Sequence, residues 1–386
     1  MFSFWRKTSK QETTLCVLTV TSYAATGAVV RIFGGEGVVA APVVLFSCQE
    51  TLPLRHDFDP LRVRQSAIEA TSRALEQCRK FNSTFDKVVL SIGEPWIMTH
   101  HRTMRREKQV PFTFTRAMID EMVSRDRRLF EQELVHEYGD AEPISVIEIS
   151  DPVCDANGYR VSSIVQQKAR TLDVHVVVTT APTVFVEALR GVVMDILHRT
   201  DVTFMSLAVA QAELLIPNSQ GMLLSLGGVS SELMIIDQGV ITRSVMIDAG
   251  MSMVEDVMKD LFKVQRRQLA SVMTFASDET FLEHQRDIYY RRIEGAYQVL
   301  GAEIHAAIHT MQKYQYPLPV HLIVTSPVEW VGVLAPLVED SAGVVTTVLA
   351  SNLTNGHLVY AHEARHRELP LSLAIVKAIK QIMQRT

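Results

Sequence analysis

Two pairs of histidines have a spacing that could bind a metal ion. His362, Glu363 and His366 form the HExxH pattern of zinc peptidases, and His305 and His309 repeat the spacing without the glutamate. On a helix, two such histidines can share a zinc ion while the glutamate acts as the base. A catalytic site needs a third protein ligand, and residues 369–386 contain no Asp, Glu, His or Cys. We therefore predict no metal site, with a zinc peptidase as a distant alternative.

A glycine turn in the middle of the chain could instead bind phosphate. Gly227 and Gly228 follow an apolar run, with Ser225 before them and Ser230 after them. Glycine turns allow backbone N–H groups to approach a phosphate group, and a carboxylate at the end of a strand can hold hydrated Mg²⁺. Phosphate binding by this turn therefore depends on the elements that position it and on the carboxylates near it.

The elements around this turn form a pattern that occurs twice. Short β-rich runs separated by turn residues predict two three-stranded meanders, one at 15–21, 28–33 and 38–47 and one at 222–226, 232–236 and 240–247. The predicted turns lie at 25–27, 34–37, 227–228 and 237–239. A helix at 60–80, with Asp59 as its N-cap and Pro60 at its first position, follows the first meander. Residues 252–313, mostly helical, follow the second, so the pattern indicates an internal duplication.

Residues 82–181 have a pattern of their own between the two meanders. We predict a buried strand at 87–92, a long helix at 115–138, and strands at 144–149 and 173–179. A polar, basic run from His100 to Lys108 lies between the first strand and the helix. We predict a solvated loop for this run, with a surface for an acidic partner as the alternative.

Both meanders resemble the phosphate-binding hairpins of the actin and sugar-kinase superfamily. Residues 223–244 (LLSLGGVSSELMIIDQGVITRS) resemble the second phosphate hairpin of the bacterial FtsA and PilM proteins, and 17–31 resemble the first. Residues 82–181 stand where FtsA carries its inserted SHS2-type subdomain. The resemblance implies an α/β fold, with two actin-like (ribonuclease H-like) lobes around a cleft and an inserted α+β SHS2-type subdomain. Its units would be 1–81, the N-terminal part of the first lobe; 82–181, the inserted module; and 182–386, the remainder of the first lobe and the second lobe.

The nucleotide motifs of this family are degenerate in the sequence. Thr19 or Val20 stands where the family has its magnesium-associated aspartate, and Ser225 stands where an aspartate opens the second hairpin. Val229 replaces the third glycine of that hairpin, and Glu232 replaces its last aspartate. Because Mg²⁺ needs charged oxygen ligands, the resemblance implies that ATP with Mg²⁺ is a disfavoured cofactor.

Six residues stand at the positions of the family's nucleotide site, in a degenerate form. They are Gln211, Ser225, Gly227, Gly228, Ser230 and Thr325. Gln211 stands where the family places its water-orienting Gln or Glu, with helix capping as the alternative interpretation. The adenosine turn after Thr325 reads Ser-Pro-Val at 326–328, and proline has no N–H to donate. We predict no catalytic residue in this set.

The resemblance implies a function in binding. We expect a non-catalytic scaffold that tethers cell-division or pilus-type assembly proteins at the cytoplasmic membrane face. Its protein partners would bind through residues 82–181, and self-association is left open. The alternative is an active actin-like ATPase with an unusual site.

The composition sets the remaining expectations. With 38 basic and 43 acidic residues, the net charge is −5, which predicts no binding to nucleic acid. Four cysteines without a CxxC pair predict isolated buried thiols. No window supplies the ~20 apolar residues of a spanning helix, and the threonines in the run from Leu15 favour a strand over a signal peptide. We expect a cytoplasmic protein whose contact with the membrane is peripheral, and a C-terminal helix at 371–383 that docks on the fold.

Overall fold

A computed structural model describes most of the chain. The described residues are 11–34, 42–53, 59–138, 142–161, 167–216, 219–265, 268–269, 272, 283–314, 319, 321–325, 345–349, 359–360 and 369–384. The HExxH motif at 362–366, most of the predicted turn at 34–37 and the adenosine turn at 326–328 lie outside them. His305 and His309 lie on an exposed helix face, and the described residues contain no cluster of three or more metal-binding side chains.

The described part of the chain forms sixteen strands and seven long helices. The first lobe contains β1 (Gln11–Val20), β2 (Ala24–Gly34), β3 (Val43–Thr51), α1 (Pro60–Phe81) and β4 (Lys87–Ile92). Next come β5 (Met98–Thr113), α2 (Arg116–Tyr138), β6 (Ile144–Ile149), β7 (Val153–Ala156), β8 (Tyr159–Val161) and β9 (Lys168–Pro182). They are followed by α3 (Thr183–Leu197), β10 (Val202–Ser206), α4 (Leu207–Leu215), β11 (Gln220–Leu226), β12 (Ser231–Asp237), β13 (Val240–Ile247) and α5 (Met251–Phe262). The chain ends with α6 (Glu283–Tyr314), β14 (His321–Thr325), β15 (Val345–Leu349), β16 (Val359–Tyr360) and α7 (Leu369–Gln384).

Two of the three sheets share one topology. The first has the order β10-β4-β1-β2-β3-β16, and the second has the order β13-β12-β11-β14-β15. In each sheet an antiparallel meander of three strands is extended on the side of its first strand by two parallel strands. The predicted internal duplication is therefore confirmed.

Helices cover both faces of the first sheet. Leu18 and Val20 of β1 face α1 and α3, whereas Leu15 and Val17 face α7, since successive side chains of a strand point to opposite faces. Ile375 is one of five buried apolar side chains with which α7 packs against this sheet. The predicted docking of the C-terminal helix is confirmed.

The residues between β4 and α3, which interrupt the first lobe in the sequence, form a third sheet. Its order is β5-β9-β7-β8, and β6 pairs with β9 beside β7. The expectation that the strand at 87–92 belongs to this unit is wrong, because β4 pairs in parallel with β1 and β10 of the first sheet. Five of its six residues are buried, as in a central parallel strand covered on both faces. The resemblance of the remaining block to an SHS2-type module stays a prediction.

Two local expectations are also wrong. The run from His100 to Lys108 is not a loop but part of β5, where exposed side chains alternate with half-buried ones that face α2. The turn expected at 25–27 is strand, and the chain instead reverses at 21–23.

Gly27 serves close packing, since a Cβ there would lie 2.8 Å from the Cys78 sulfur and 3.2 Å from the Cys48 sulfur. Both thiols are buried and free, but they are not isolated.

No helix within the described residues is both long enough and apolar enough to span a membrane.

The docked position of α7 leads to a test of stability. Replacing Ile375, which is fully buried, with alanine should lower the free energy of unfolding by about 2–5 kcal/mol, because a cavity remains between α7 and the first sheet. Val135→Ala on α2, where the side chain is 72% exposed, is the control and should change it by no more than about 0.5 kcal/mol. Urea denaturation measures the free energy of unfolding of both variants. If the two substitutions lower it equally, the docked position of α7 is contradicted.

Candidate functional site

A row of three polar side chains crosses the second sheet at the end of β11. Glu232 of β12 and Thr325 of β14 stand directly opposite Ser225 on either side of it, so all three point to the same face. All three are buried, on the face that the first lobe covers. The duplication gives the first sheet an equivalent row, Thr26, Thr19 and Ser91 on β2, β1 and β4.

Gln211 of α4 lies over the row in the second sheet. Its Nε2 donates to Ser225 Oγ and to Thr325 Oγ1, each at 3.1 Å. The alternative interpretation of Gln211 as a helix cap is wrong, because Ser206 caps α4 by accepting from Val209 N at 3.3 Å. Three of the predicted site residues thus form one hydrogen-bonded group.

The glycine turn after β11 is hydrogen-bonded to the first lobe. Gly228 N and Val229 N both donate to Ser22 Oγ, at 2.8 and 3.1 Å. Ser22 lies in the turn between β1 and β2, which is the equivalent turn of the first lobe. A Cβ at Gly228 would lie 2.5 Å from the carbonyl oxygen of Ser22, so glycine permits this approach. The two hairpin turns are therefore in direct contact.

The carbonyl groups of the same turn also have partners. Gly227 O accepts from Met251 N at 2.9 Å, and Gly228 O accepts from Ser252 N at 2.8 Å. These two N–H groups belong to the first turn of α5, where an anion could otherwise bind. Ser230, the sixth predicted residue, is buried at the end of the turn, and its hydroxyl has no partner among the described residues.

Glu94 fills the space next to this turn. It follows β4, and its backbone carbonyl accepts from Ser22 N at 3.0 Å. Its side chain contacts Gly227 so closely that a Cβ on that glycine would overlap the carboxyl group. The pKa of Glu94 is raised to about 8, mainly by burial and in addition by the charge of Glu232, while hydrogen bonds with its own backbone and with Ser225 act in the opposite direction.

Glu232 connects the row to the third sheet. Its Oε1 accepts from Thr99 Oγ1 at 3.1 Å, and the Thr99 hydroxyl also lies 2.9 Å from Ser244 Oγ of β13. Burial raises the pKa of Glu232 to about 7, although its hydrogen bonds with Thr99 and Ser244 favour the ionised form. In the described part of the chain, neither Glu94 nor Glu232 forms an ion pair with a basic side chain.

Ser22, Glu94 and Thr99 complete this site, and the sequence alone did not identify them. Ser22 and Thr99 are common polar residues without a distinctive spacing. Glu94 had a detectable signal, because it is a charged residue between a buried strand and a proline. All six predicted residues lie at one place, around the contact between the two lobes.

Comparison with solved structures supports this architecture. A structure described as the PilM-PilN type IV pilus biogenesis complex matches over 97% of this chain and 98% of the other, with a TM-score of 0.59 and 12% identity. This chain has the actin-like fold. At that identity the likeness establishes the fold alone.

Looser similarities extend to two further structures. The ethanolamine utilization protein EutJ from Carboxydothermus hydrogenoformans has a TM-score of 0.46 at 10% identity, covering 95% of this chain and 89% of its own. A Bacteroides thetaiotaomicron protein with an actin-like ATPase fold and unknown function has a TM-score of 0.43 at 8% identity, covering 98% and 99%. The sequence matches no protein-family model, and no curated protein matches it significantly.

The buried carboxyl groups predict a dependence of stability on pH. The pKa values of Glu94 and Glu232 in the folded state, about 8 and about 7, exceed the ordinary 4.5, so above pH 4.5 the folded state binds more protons than the unfolded state. The stabilisation that this protonation gives the folded state is complete below pH 4.5 and is lost as the pH rises through 7 and 8. The free energy of unfolding should fall by up to about 1.4 kcal/mol per pH unit for each group.

Urea denaturation between pH 5 and 9 measures this slope. Glu94→Gln keeps the shape of the neutral side chain and should flatten the curve. Glu107→Gln, where the side chain is 66% exposed, is the control and should leave it unchanged. Parallel curves for the native protein and Glu94→Gln would show that Glu94 is not held neutral.

Proposed function

We propose that this chain is a non-catalytic actin-like scaffold for pilus-type assembly proteins at the cytoplasmic membrane face. The observation that carries the proposal is the contact of Ser22 Oγ with Gly228 N and Val229 N. These N–H groups belong to the turn that would bind a phosphate in an ATPase of this fold. A neighbouring hydroxyl already uses them, so Mg-ATP does not fit the residues present.

The charges around the turn support the same conclusion. Thr19 and Ser225 supply hydroxyls where the resemblance places carboxylates for the metal. The nearby carboxyls of Glu94 and Glu232 are buried and favour the neutral form. Among the described residues, a triphosphate would therefore find neither a cation nor metal ligands of sufficient charge at this site. The second candidate, an active ATPase, rests on the retained glycine turn and on Gln211.

Nucleotide binding should consequently be weak. Each lost charge-assisted contact costs about 1.5–3 kcal/mol, so two losses weaken binding at least about a hundredfold relative to an intact site. Calorimetric titration of Mg-ATP should give a dissociation constant near the millimolar range, and a phosphate-release assay should show no turnover. A dissociation constant of roughly 10 μM or tighter that Gly228→Asp abolishes would favour the active ATPase. Circular dichroism of that variant is the control for folding.

A groove between the first and third sheets is the surface that we assign to the partner. It has a volume of about 550 Å³ and lies between β6, β10 and α3. In the described part of the chain, β6 pairs only with β9, and β10 pairs only with β4, so each presents a free edge. Val186, Val202 and Phe204 contribute apolar side chains to a groove whose exposed lining is mainly polar, and the Arg190 guanidinium lies 5.2 Å from the Phe204 ring centre.

These properties fit an extended protein segment. A free strand edge offers main-chain hydrogen bonds to an added strand, while the polar and apolar side chains of the lining can contact the side chains of that strand. The similar solved structure is a complex of type IV pilus biogenesis, which favours a pilus-type partner over a cell-division partner. We therefore propose that a short segment of a membrane-bound assembly protein binds in this groove.

Purification of the full chain from its native cells, followed by mass spectrometry, should identify such a partner. A synthetic peptide of the partner's segment should bind the native protein and lose at least about tenfold in affinity with Arg190→Glu, which removes the cation over Phe204. Arg127→Glu on the exposed face of α2 is the matched control and should bind normally. Equal binding by both variants would place the partner elsewhere.

A further inference from the structure

The outer strand of the third sheet has a long free edge. Residues 98–107 of β5 pair continuously with β9 on one side, and residues 108–111 bulge out before pairing resumes at Phe112. No described strand pairs with the other side of β5. Such an edge presents backbone N–H and C=O groups that can accept another strand. We refer to residues 101–108 as the β5 edge.

The charge of this edge is mostly positive. Arg106 and Lys108 lie on β5; on β9, Arg170 lies opposite the bulge at 108–111 and Lys168 pairs with Thr113. Within the described ranges, none of these four has an acidic partner. Arg105 differs, because it lies 3.5 Å from Glu107 and 3.9 Å from Asp173.

Arg102, on the same strand, has a structural role instead. It forms two hydrogen bonds with Asp126, both at 3.0 Å, and one with Glu133 at 2.8 Å. These contacts fix β5 to α2, and they neutralise its charge. The cations without an acidic partner among the described residues are therefore concentrated at one end of the strand, where Lys108 lies 5.2 Å from the Phe112 ring centre.

This distribution of charge disfavours one occupant of the edge and favours another. If a second copy of the chain paired antiparallel through this end of the strand, with the twofold axis at Glu107, Arg106 of each copy would lie opposite Lys108 of the other. Like charges opposite each other destabilise a strand pair, and lysine at an edge is a known protection against such pairing. An extended segment with acidic side chains would instead place carboxylates opposite these cations.

We propose that the β5 edge binds an extended acidic protein segment by strand addition. This surface lies on the side of β9 opposite to β6, so it is separate from the groove and does not depend on the function proposed for it. Main-chain hydrogen bonds would supply part of the affinity, and the basic side chains would supply the selectivity.

Two labelled peptides test the proposal with the full chain. An alternating Glu-Thr octapeptide should bind in a fluorescence anisotropy titration at low salt, and the matching Lys-Thr octapeptide should not. Binding should weaken at high salt, since exposed charges are screened. Hydrogen exchange should slow at residues 101–108 when the acidic peptide is present. Absence of binding, or protection at other residues alone, would overturn the proposal.

Charge reversal distinguishes the edge from a general effect of net charge. The double variant Arg106→Glu and Lys108→Glu should lose about tenfold in affinity for the acidic peptide and gain affinity for the basic one. Arg79→Glu with Lys80→Glu on α1 makes the same change in net charge and should bind normally, as should Arg190→Glu in the groove. Equal losses in both double variants would show non-specific attraction. A dimer in sedimentation that only the β5 variant abolishes would identify a second copy as the occupant.

Discussion

The contact between the two hairpin turns determines how the rest of this molecule can work. Ser22 Oγ accepts two N–H groups from the turn at Gly228, and the neighbouring Tyr23 packs against the apolar core of the second lobe. In an actin-like fold these turns enclose the cleft. Two buried hydrogen bonds contribute about 1 kcal/mol each, and leaving the N–H groups without partners would cost more. A ligand that separated the turns would have to replace these interactions.

Because the two sheets are duplicates, each contributes a row of polar residues to the cleft between the lobes. The row of Glu232, Ser225 and Thr325 has partners in Gln211, Glu94 and Thr99, all contributed by elements outside the second sheet. In the equivalent row of the first sheet, the hydroxyls of Thr19, Thr26 and Ser91 are buried without a hydrogen-bond partner among the described residues. Of the two rows, the one in the second sheet therefore makes more of the polar contacts that hold the cleft closed.

Local signals in the sequence predicted the elements well, and long-range pairing limited the rest. Asp59 accepts from Leu61 N at 3.0 Å as the N-cap of α1, while β6 and β13 have the predicted bounds. The membership of β4 could not be predicted, because a buried strand has the same pattern in either sheet. Four members of the site, Gly227, Gly228, Ser225 and Gln211, followed from turn chemistry and resemblance. Ser22 and Glu94 depend on contacts between residues far apart in the chain, which no local pattern encodes.

A buried lysine connects the groove with the closed cleft. Lys377 of α7 lies 2.8 Å from Glu148 of β6 and 3.6 Å from Glu213 of α4, and its side chain is only 3% exposed. Glu148 lines the groove, and its other oxygen accepts from Ser206 N at the start of α4. The same helix holds Gln211 over Ser225 and Thr325.

Removing one partner of a buried ion pair costs about 3–5 kcal/mol, so these elements are fixed to one another firmly. A segment bound in the groove would therefore contact strands whose position depends on α4 and α7. The same helices pack against the two sheets that form the cleft, so movement of one lobe would disturb the groove. A scaffold of the kind proposed above would benefit from a partner surface that stays in place while the cleft remains closed.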